Sequence, residues 1–346
     1  VSRSINDERG CVAYPSCRFG ADLPVASPPS RRVAWPRFGT GRDSPVTLAM
    51  KRILIFAAVL SCAGWASARA QEGEAGKARV YKESGGKPRE LELFFPPNHD
   101  PSKGKVPGLI LFHGGGWTGG TPAQFRVACR YFADRGLVTA TVGYRMMTGA
   151  EAKKRPKGET YKRVCITNAK TAVRWFKEHA GELGVDPDRL IVGGGSAGGH
   201  ISVLATTNSG LNDPGVPKGF DTSVAAYILF NPAFSPDDER DPEVDVLRHL
   251  KPGFPPSIVF FGTKDTWKKG WDAAHEKLKS LGVKTVDERL AEGQPHGFFN
   301  RDPWRTLTLI EADRFLGRLG FLKGEPTLKP PTSAETLIVS PANAKP

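Results

Sequence analysis

Residues 190–205 read LIVGGGSAGGHISVLA: a short apolar run, a cluster of glycines around one serine, and a stretch compatible with a helix. The residues from Gly194 to Gly198 fit the pattern G-x-S-x-G, in which a serine lies on a sharp turn between a strand and a helix. Such a turn strains the serine backbone and crowds the residues two before and two after it, so both must lack a side chain. The serine turn, residues 193–199, therefore predicts a nucleophilic hydroxyl on Ser196.

Two kinds of phosphate-binding loop are the alternatives for this glycine-rich turn. A P-loop needs a Lys followed by Ser or Thr after its last glycine, and no such pair follows Gly199. A dinucleotide-binding turn follows the first strand of its fold, whereas several strand-like runs precede residue 190. The serine turn is therefore preferred, and the helix after it directs amino-terminal amides at developing negative charge.

Outward from Ser196, short apolar runs alternate with helical patterns. An opening antiparallel pair is predicted at 80–81 and 91–95, and later strands at 109–112, 137–142, 190–192, 224–230, 258–261 and 283–290. Helices are predicted at 122–135, 168–180, 197–205, 273–281 and 305–316. Strands that alternate with helices form parallel βαβ units in one sheet covered on both faces. We expect an α/β fold whose chemical motifs meet at the carboxyl ends of the strands.

A second glycine cluster, the HGGGW sequence at residues 113–117, directly follows the apolar run at 109–112. Consecutive glycines let this oxyanion loop approach a substrate closely and aim backbone amides at one point. We expect His113 to orient the loop by hydrogen bonds and Trp117 to wall the substrate pocket. The candidate donors to the oxyanion of a tetrahedral intermediate are the amides of Gly115, Gly116 and Ala197.

The HGGGW loop, the GGSAGG turn and the dipeptide Tyr144-Arg145 after a strand together resemble the α/β-hydrolase superfamily. The most similar branches are the acetyl-xylan and feruloyl esterase-like group and the hormone-sensitive-lipase-like esterases. The resemblance covers about residues 78–320. It implies the α/β-hydrolase fold with a mostly parallel central sheet, a serine esterase activity, and a triad in the chain order serine, acid, histidine.

The superfamily order places the acid after a strand downstream of the serine, and the histidine after the next strand. Asp265 follows the run at 258–261 and a glycine turn, and His296 follows the next strand-like run. Asp238 and Asp245 are the competing acids, but no buried strand closely precedes them, and we interpret their surroundings as a solvated loop. The predicted triad is therefore Ser196, Asp265 and His296.

Chemistry assigns each of these three residues a role. Ser196 becomes an effective nucleophile when His296 takes its proton, and His296 then protonates the leaving alcohol. Asp265 holds the imidazole tautomer and stabilises the imidazolium. Water repeats the cycle on the acyl-enzyme, and no metal or organic cofactor is required. His200 lies one turn into the helix after the serine, where it cannot bridge Ser196 and Asp265.

Two other function classes compete with an ester hydrolase. The same triad hydrolyses peptides in prolyl-oligopeptidase-like enzymes, which carry a large propeller, and acts on long acyl chains in lipases. A non-catalytic binding protein on this fold is the second class, although such proteins usually lack a triad member. The segments that shape specificity, 146–164, 206–221 and 231–254, are too short for a deep lid. We therefore expect esters of short acyl groups as substrates, among them acetylated carbohydrate.

The first 70 residues have the pattern of a targeting region. A basic start at 50–52, an apolar run at 53–60 and Ala68-Arg69-Ala70 form the three parts of a secretory signal. The apolar run is too short for a stable membrane anchor, and lipidation of Cys62 stays open. The predicted organisation is a segment outside the native protein or disordered at 1–49, a signal peptide at 50–70, the exported catalytic domain at 71–323, and a disordered tail at 324–346.

The net charge of +13 is partly carried by the region before residue 71. In the remainder, the dense basic group at 153–163 is interpreted as a solvated face, with a site for acidic polysaccharide or nucleic acid as the alternative. We expect no nucleic-acid partner. Cys129 and Cys165 would be able to pair in an oxidising compartment, and the sequence leaves that open.

Overall fold

The computed structural model describes residues 73–340, apart from residues 148, 156 and 218. Within these ranges the strands form one nine-stranded sheet in the order β1-β2-β4-β3-β5-β6-β7-β8-β9. Strands β3 to β8 are parallel to one another, whereas β2 is antiparallel to β1 and β4, and β9 is antiparallel to β8. The strands are β1 Lys77–Ser84, β2 Lys87–Phe94, β3 Val106–Phe112, β4 Val138–Val142, β5 Val185–Gly195, β6 Ala226–Phe230, β7 Ser257–Gly262, β8 Val286–Ala291 and β9 Leu337–Val339. The predicted α/β class with a mostly parallel sheet is confirmed.

Helices cover both faces of this sheet. They are α1 Arg126–Asp134, α2 Gly149–Lys154, α3 Tyr161–Glu178, α4 Ala180–Leu183, α5 Ala197–Thr207, α6 Val246–His249, α7 Lys268–Ser280 and α8 Trp304–Arg318. Alternate residues of β3 show the two layers, because successive strand side chains point to opposite faces. Ile110 and Phe112 pack in the cluster that contains residues of α3, α5 and α7. Leu109 and Leu111 pack in the cluster with α1 and α8.

The predicted elements differ from the observed ones at the starts of helices and of several strands, such as the strand predicted at 190–192, which begins at Val185. The helix predicted at 168–180 begins at Tyr161, because the side chain of Thr160 accepts a hydrogen bond from the amide of Arg163 and caps the amino terminus. The helix predicted at 122–135 is a 3-10 turn at Pro122–Phe125 followed by α1. Capping and short turns depend on local side-chain geometry, which apolar periodicity does not report.

The C-terminal segment corrects the prediction of a disordered tail at 324–346. Leu337–Val339 forms β9, paired antiparallel with β8, and the amide of Ser340 donates to the carbonyl of Glu288 at 3.1 Å. Without β9, the backbone amides and carbonyls along the outer edge of β8 would lack strand partners. The short run Leu337–Val339, rich in β-branched residues, pairs with them. Residues 341–346, the signal peptide predicted at 50–70 and the segment 1–49 lie outside the described residues.

Cys129 and Cys165 are both buried as free thiols and do not pair with each other. They belong to the two hydrophobic clusters on opposite faces of the sheet. Burial raises the pKa of Cys165 to about 12 and also raises the pKa of Cys129, so both remain protonated thiols. In the part of the chain that the structure describes, no helix has the length and apolar character needed to cross a membrane.

Candidate active site

Ser196 lies on the turn between β5 and α5 with φ 53° and ψ −121°, a conformation rare for any residue with a side chain. Its amide donates to the carbonyl of Phe230 at 2.9 Å, which ties the turn to β6. A Cβ on Gly194 would lie 2.7 Å from the carbonyl carbon of Gly198, and a Cβ on Gly198 would lie 1.9 Å from the carbonyl oxygen of Phe112. The crowding predicted from the G-x-S-x-G pattern is therefore present.

The structure brings the three predicted triad residues together in one hydrogen-bonded line. Nε2 of His296 lies 2.7 Å from Oγ of Ser196, and Nδ1 of His296 lies 2.7 Å from Oδ2 of Asp265. The Asp265 side chain is fully buried, and its Oδ1 accepts from the amide of Trp267 at 2.9 Å. Because the carboxylate only accepts, Nδ1 of His296 carries the proton, and Nε2 is left to accept the hydroxyl proton of Ser196.

The competing acids lie in other contacts, and their surroundings correct the solvated-loop interpretation. Asp238 is only 7% exposed; it pairs with Lys162, and its Oδ2 lies 3.4 Å from Nε2 of His200. Burial opposes its ionisation, but the proximity of the His200 ring and the ion pair with Lys162 outweigh burial and hold the pKa of Asp238 below its usual value. Asp245, also buried, caps α6 by accepting from the amide of Leu247 at 3.0 Å. Neither carboxylate approaches the imidazole of His296.

Part of the basic group at 153–163 is likewise engaged rather than solvated. Arg163 forms a bidentate ion pair with Asp241, and Lys162 is the partner of Asp238. Nζ of Lys162 also lies 4.1 Å from the ring centroid of Trp117, a cation–π contact. Sequence alone misassigned these two cations, because their acidic partners come from a segment far along the chain.

The oxyanion loop is held by hydrogen bonds from three directions. His113 is buried, and its Nδ1 donates to the carbonyl of Gly114 at 2.7 Å. The hydroxyl of Tyr144 donates to the carbonyl of His113 at 2.8 Å, and the two rings stack with centroids 4.3 Å apart. The amide of Gly114 donates to Oε1 of Gln124 at 2.7 Å. Burial lowers the pKa of His113 to about 4, so the imidazole is neutral and orients the loop.

The predicted oxyanion donors are free to bind a ligand. Among the described residues, no hydrogen bond uses the amides of Gly115, Gly116 or Ala197. Gly115 and Gly116 line a cavity of about 360 Å³ together with Ser196 and His296. Ala197 is fully buried at the first position of α5, directly after Ser196. These amides are therefore available to developing negative charge near Ser196.

Trp117 walls this cavity, as the sequence predicts. It has a left-handed backbone with φ 62° and is 5% exposed. Its Nε1 donates to Nδ1 of His200 at 3.2 Å, and Nε2 of His200 donates to the carbonyl of Val244 at 2.8 Å. Trp267, from the loop after Asp265, packs edge-on against Trp117 with centroids 6.1 Å apart and lines the same cavity. His200 thus positions a wall of the site and does not reach the triad.

Asn231 is the main residue at the site that sequence reasoning missed. It follows β6 with φ 37° and is fully buried; its Oδ1 accepts from the amide of Gly297 at 3.2 Å. Its Nδ2 lies 3.3 Å from Nδ1 and 3.4 Å from Nε2 of His296. Nearly equal distances to both ring nitrogens place the amide over the imidazole face, since an in-plane position would collide with Cε1. The available signal was a polar residue at the carboxyl end of a predicted strand.

Comparisons with known proteins agree with this geometry. The family model described as BD-FAE matches residues 91–236. Esterase 2 of Thermogutta terrifontis, solved in a form phosphorylated by paraoxon, is 33% identical with a TM-score of 0.65; the match covers 72% of this chain and 96% of that chain. The chain belongs to the α/β-hydrolase superfamily, among its serine esterases. Other structures of the same Thermogutta esterase contain bound propionate or butyrate, each at 32% identity, with a TM-score of 0.64 and coverage of 72% of this chain and 97% of that one.

Curated relatives of this serine-esterase-like chain include two mycobacterial proteins. Esterase LipQ of Mycobacterium tuberculosis is 26% identical over 72% of this chain and 65% of its own length. The carboxylic ester hydrolase LipN of the same organism is 31% identical over 66% of this chain and 62% of its own length. The chain thus spans less than two thirds of the length of these relatives. In the described ranges, no group of three or more His, Cys, Asp or Glu side chains is arranged to hold a metal ion.

Proposed function

We propose that this protein hydrolyses carboxylic esters through an acyl-enzyme on Ser196. The observation that carries the proposal is the line of two 2.7 Å contacts from Ser196 through His296 to the buried Asp265, at a cavity that Gly115 and Gly116 also line. A neutral imidazole with its proton on Nδ1 can act only as a base toward Ser196. The cavity in front of Oγ then has what acyl transfer needs: a nucleophile, a base and an oxyanion site.

Each step of the reaction uses groups at these positions. Nε2 of His296 takes the hydroxyl proton as Oγ of Ser196 attacks the ester carbon, and the amides of Gly115, Gly116 and Ala197 receive the oxyanion. Collapse of this tetrahedral intermediate breaks the bond to the alcohol oxygen, which takes the proton from Nε2. Water then attacks the acyl-enzyme with His296 as base, releasing the acid and restoring Ser196.

We propose esters of short acyl groups as the substrate class, with acetylated carbohydrate as the leading candidate. The bound propionate and butyrate of the Thermogutta esterase 2 structures support a small acyl site. The cavity at Ser196 measures about 360 Å³, and Trp117 and Trp267 form an aromatic wall beside it. Flat aromatic surfaces suit the leaving alcohol of a sugar or aryl ester. Long-chain lipids and peptides are the alternative substrates that the experiment must separate.

The activity is tested with p-nitrophenyl esters from acetate to decanoate, run beside acetylated xylan. We expect kcat/KM to fall beyond butyrate. Ser196→Ala should lower kcat on the order of 10⁶-fold with the fold retained, as triad knockouts do. A fluorophosphonate probe should label the wild type on Ser196 and leave the variant unlabelled. Labelling that persists in Ser196→Ala would move the nucleophile elsewhere.

The same series separates the substrate classes. Best hydrolysis of octanoate or decanoate would make the enzyme lipase-like and contradict the short-acyl assignment. Cleavage of short aryl esters without release of acetate from acetylated xylan would keep the ester-hydrolase activity and remove the carbohydrate assignment. Hydrolysis of peptides in preference to all esters would place the protein among the peptidases.

We propose that the protein is exported and acts outside the cytoplasm, in the periplasm or the extracellular space. The support is the sequence pattern at residues 50–70, which ends in Ala68-Arg69-Ala70. The expected mature amino terminus is Gln71, measured by mass spectrometry of the protein from an exporting host. A peptide from residues 1–49 in the native organism would contradict this organisation.

A further inference from the structure

A second cavity of about 390 Å³ adjoins the cavity at Ser196. Its lining presents polar and apolar surface about equally and comes, apart from the shared residues, from the 3-10 turn before α1, from α1, from β6 and from α8. The two cavities share a wall, because five residues line both of them: Gly114, Gly115, Gln124, Phe299 and Asn300. The shared wall thus contains parts of the oxyanion loop and of the loop that carries His296.

One hydrogen bond spans this wall. Nε2 of Gln124 donates to Oδ1 of Asn300 at 2.9 Å, and both side chains are anchored at their other ends. Oε1 of Gln124 accepts from the amide of Gly114 at 2.7 Å, and Nδ2 of Asn300 donates to the carbonyl of Gly297 at 2.9 Å. This Gln124–Asn300 crossbar connects the oxyanion loop to the His296 loop. Among the described residues, no hydrogen bond joins this crossbar to a triad side chain, and the crossbar lies between the two cavities.

One side of the second cavity suits a hydrocarbon chain. Phe125, Phe230 and Phe299 pack together there, with centroid distances of 5.5, 4.9 and 6.0 Å. Leu309, Val127 and two alanines extend this apolar side, and Thr121 and Thr308 are polar members of the lining. The charged member of the lining, Arg305, is engaged in an ion pair with Asp302. The phenylalanine side of the cavity therefore offers apolar burial to an acyl chain.

We propose that the Gln124–Asn300 crossbar sets the acyl-length limit of the enzyme, and that the cavity beyond it is the subsite that longer acyl groups enter when the crossbar is absent. The inference rests on the proposed ester hydrolysis. The acyl group is the occupant, because it stays attached to Ser196 through both half-reactions, whereas the alcohol must leave after the first. The second cavity adjoins both the oxyanion loop and the His296 loop and suits the group that stays, and the side lined by Trp117 and Trp267 is left to the alcohol.

The test measures kcat/KM for p-nitrophenyl hexanoate and for p-nitrophenyl acetate and takes the ratio of the first to the second. This ratio does not depend on the fraction of active protein. Asn300→Ala removes the crossbar at an exposed position, and the ratio should rise about tenfold or more, since each buried methylene is worth roughly fourfold. Gln124→Ala breaks the same bond from the other side and should raise the ratio in the same direction. Asn300→Asp is the matched control, because it keeps the acceptor for Gln124 while it loses the bond to Gly297; its ratio should stay at the wild-type value.

A second substitution tests whether the rise in the hexanoate-to-acetate ratio requires the acyl chain to enter the second cavity. Leu309→Trp in the Asn300→Ala background should fill the space and return the ratio to the wild-type value, whereas the same change at the exposed Leu319 should leave the gain intact. The proposal is overturned if Asn300→Ala and Gln124→Ala leave the ratio unchanged, or if the gain survives Leu309→Trp. It is also overturned if the variants respond to the size of the alcohol instead of the acyl group. A wild-type protein that hydrolyses none of these esters would contradict the proposed function itself.

Discussion

The two glycine-rich turns that meet at the triad are constrained in different ways. In the serine turn, a Cβ on Gly198 would lie 1.9 Å from the carbonyl oxygen of Phe112 on β3. In the oxyanion loop, a Cβ on Gly115 would lie 2.1 Å from the carbonyl oxygen of Gly119, whereas a Cβ on Gly116 would meet no atom within 4 Å, although φ there is 60°. Side chains from elsewhere, among them those of Tyr144 and Gln124, also hold this loop. A neighbouring strand thus excludes a side chain at Gly198, whereas at Gly116 only the backbone conformation favours glycine.

The largest expected effect comes from adding one methyl group to each turn. Gly198→Ala should lower the free energy of unfolding by about 3 kcal/mol or more, because the rigid end of β3 must move. Gly116→Ala should cost only about 1 kcal/mol, the strain of a left-handed alanine. Urea unfolding of both variants measures the difference. Equal losses in the two variants would contradict the claim that crowding excludes a side chain at Gly198 and not at Gly116.

A smaller effect concerns pH and the buried His113 of the oxyanion loop. Burial holds its pKa at about 4 in the folded protein, below the ordinary 6.5 of the unfolded chain. Between these two pH values only the unfolded chain takes up the proton, so protonation favours unfolding. The contribution of the neutral His113 to the free energy of unfolding is therefore complete above about pH 6.5 and is lost as the pH falls toward 4. Between pH 7 and pH 5 the loss should be about 2 kcal/mol.

The comparison protein for this pH effect is His113→Asn, whose side chain can still donate to the carbonyl of Gly114. Urea unfolding at pH 7 and pH 5 should show a smaller loss in the variant than in the wild type, by about 2 kcal/mol. Identical pH dependence in the two proteins would mean that His113 is protonated in the folded loop or contributes nothing to its acid sensitivity.

The smallest effect is expected from the loss of one hydrogen bond that joins the oxyanion loop to a residue farther along the chain. Tyr144→Phe keeps the ring that stacks on His113 and removes only the hydroxyl that donates to its carbonyl. The free energy of unfolding should fall by about 1 kcal/mol. kcat should fall by less than about tenfold, since the loop keeps its bonds to Gln124 and within itself. No change in either quantity would show that stacking alone holds this side of the loop.

Much of the fold and the line of the triad could be predicted from the sequence, because the signals are local. A buried strand is an apolar run, and the turns after β3 and β5 are visible as glycine clusters. The acid and the base were located by chain order after successive strands, and the structure places them within 2.7 Å contacts. The surroundings of Asp238 and of Lys162 were misjudged, since each finds its partner far along the chain.

By itself, the sequence determined the alternation of strands and helices, the strained serine turn and the identity of the residues that could form a triad. The first two follow from the period of apolar residues and from short-range sterics, and the triad residues follow from the chain order that the resemblance to the superfamily implies. Only the tertiary structure decided that Asn231 lies over the imidazole of His296, that Gln124 and Asn300 join across two cavities, and that Leu337–Val339 closes the sheet edge. These contacts join residues far apart in the chain, and their geometry exists only once the packed sheet fixes the distances between loops.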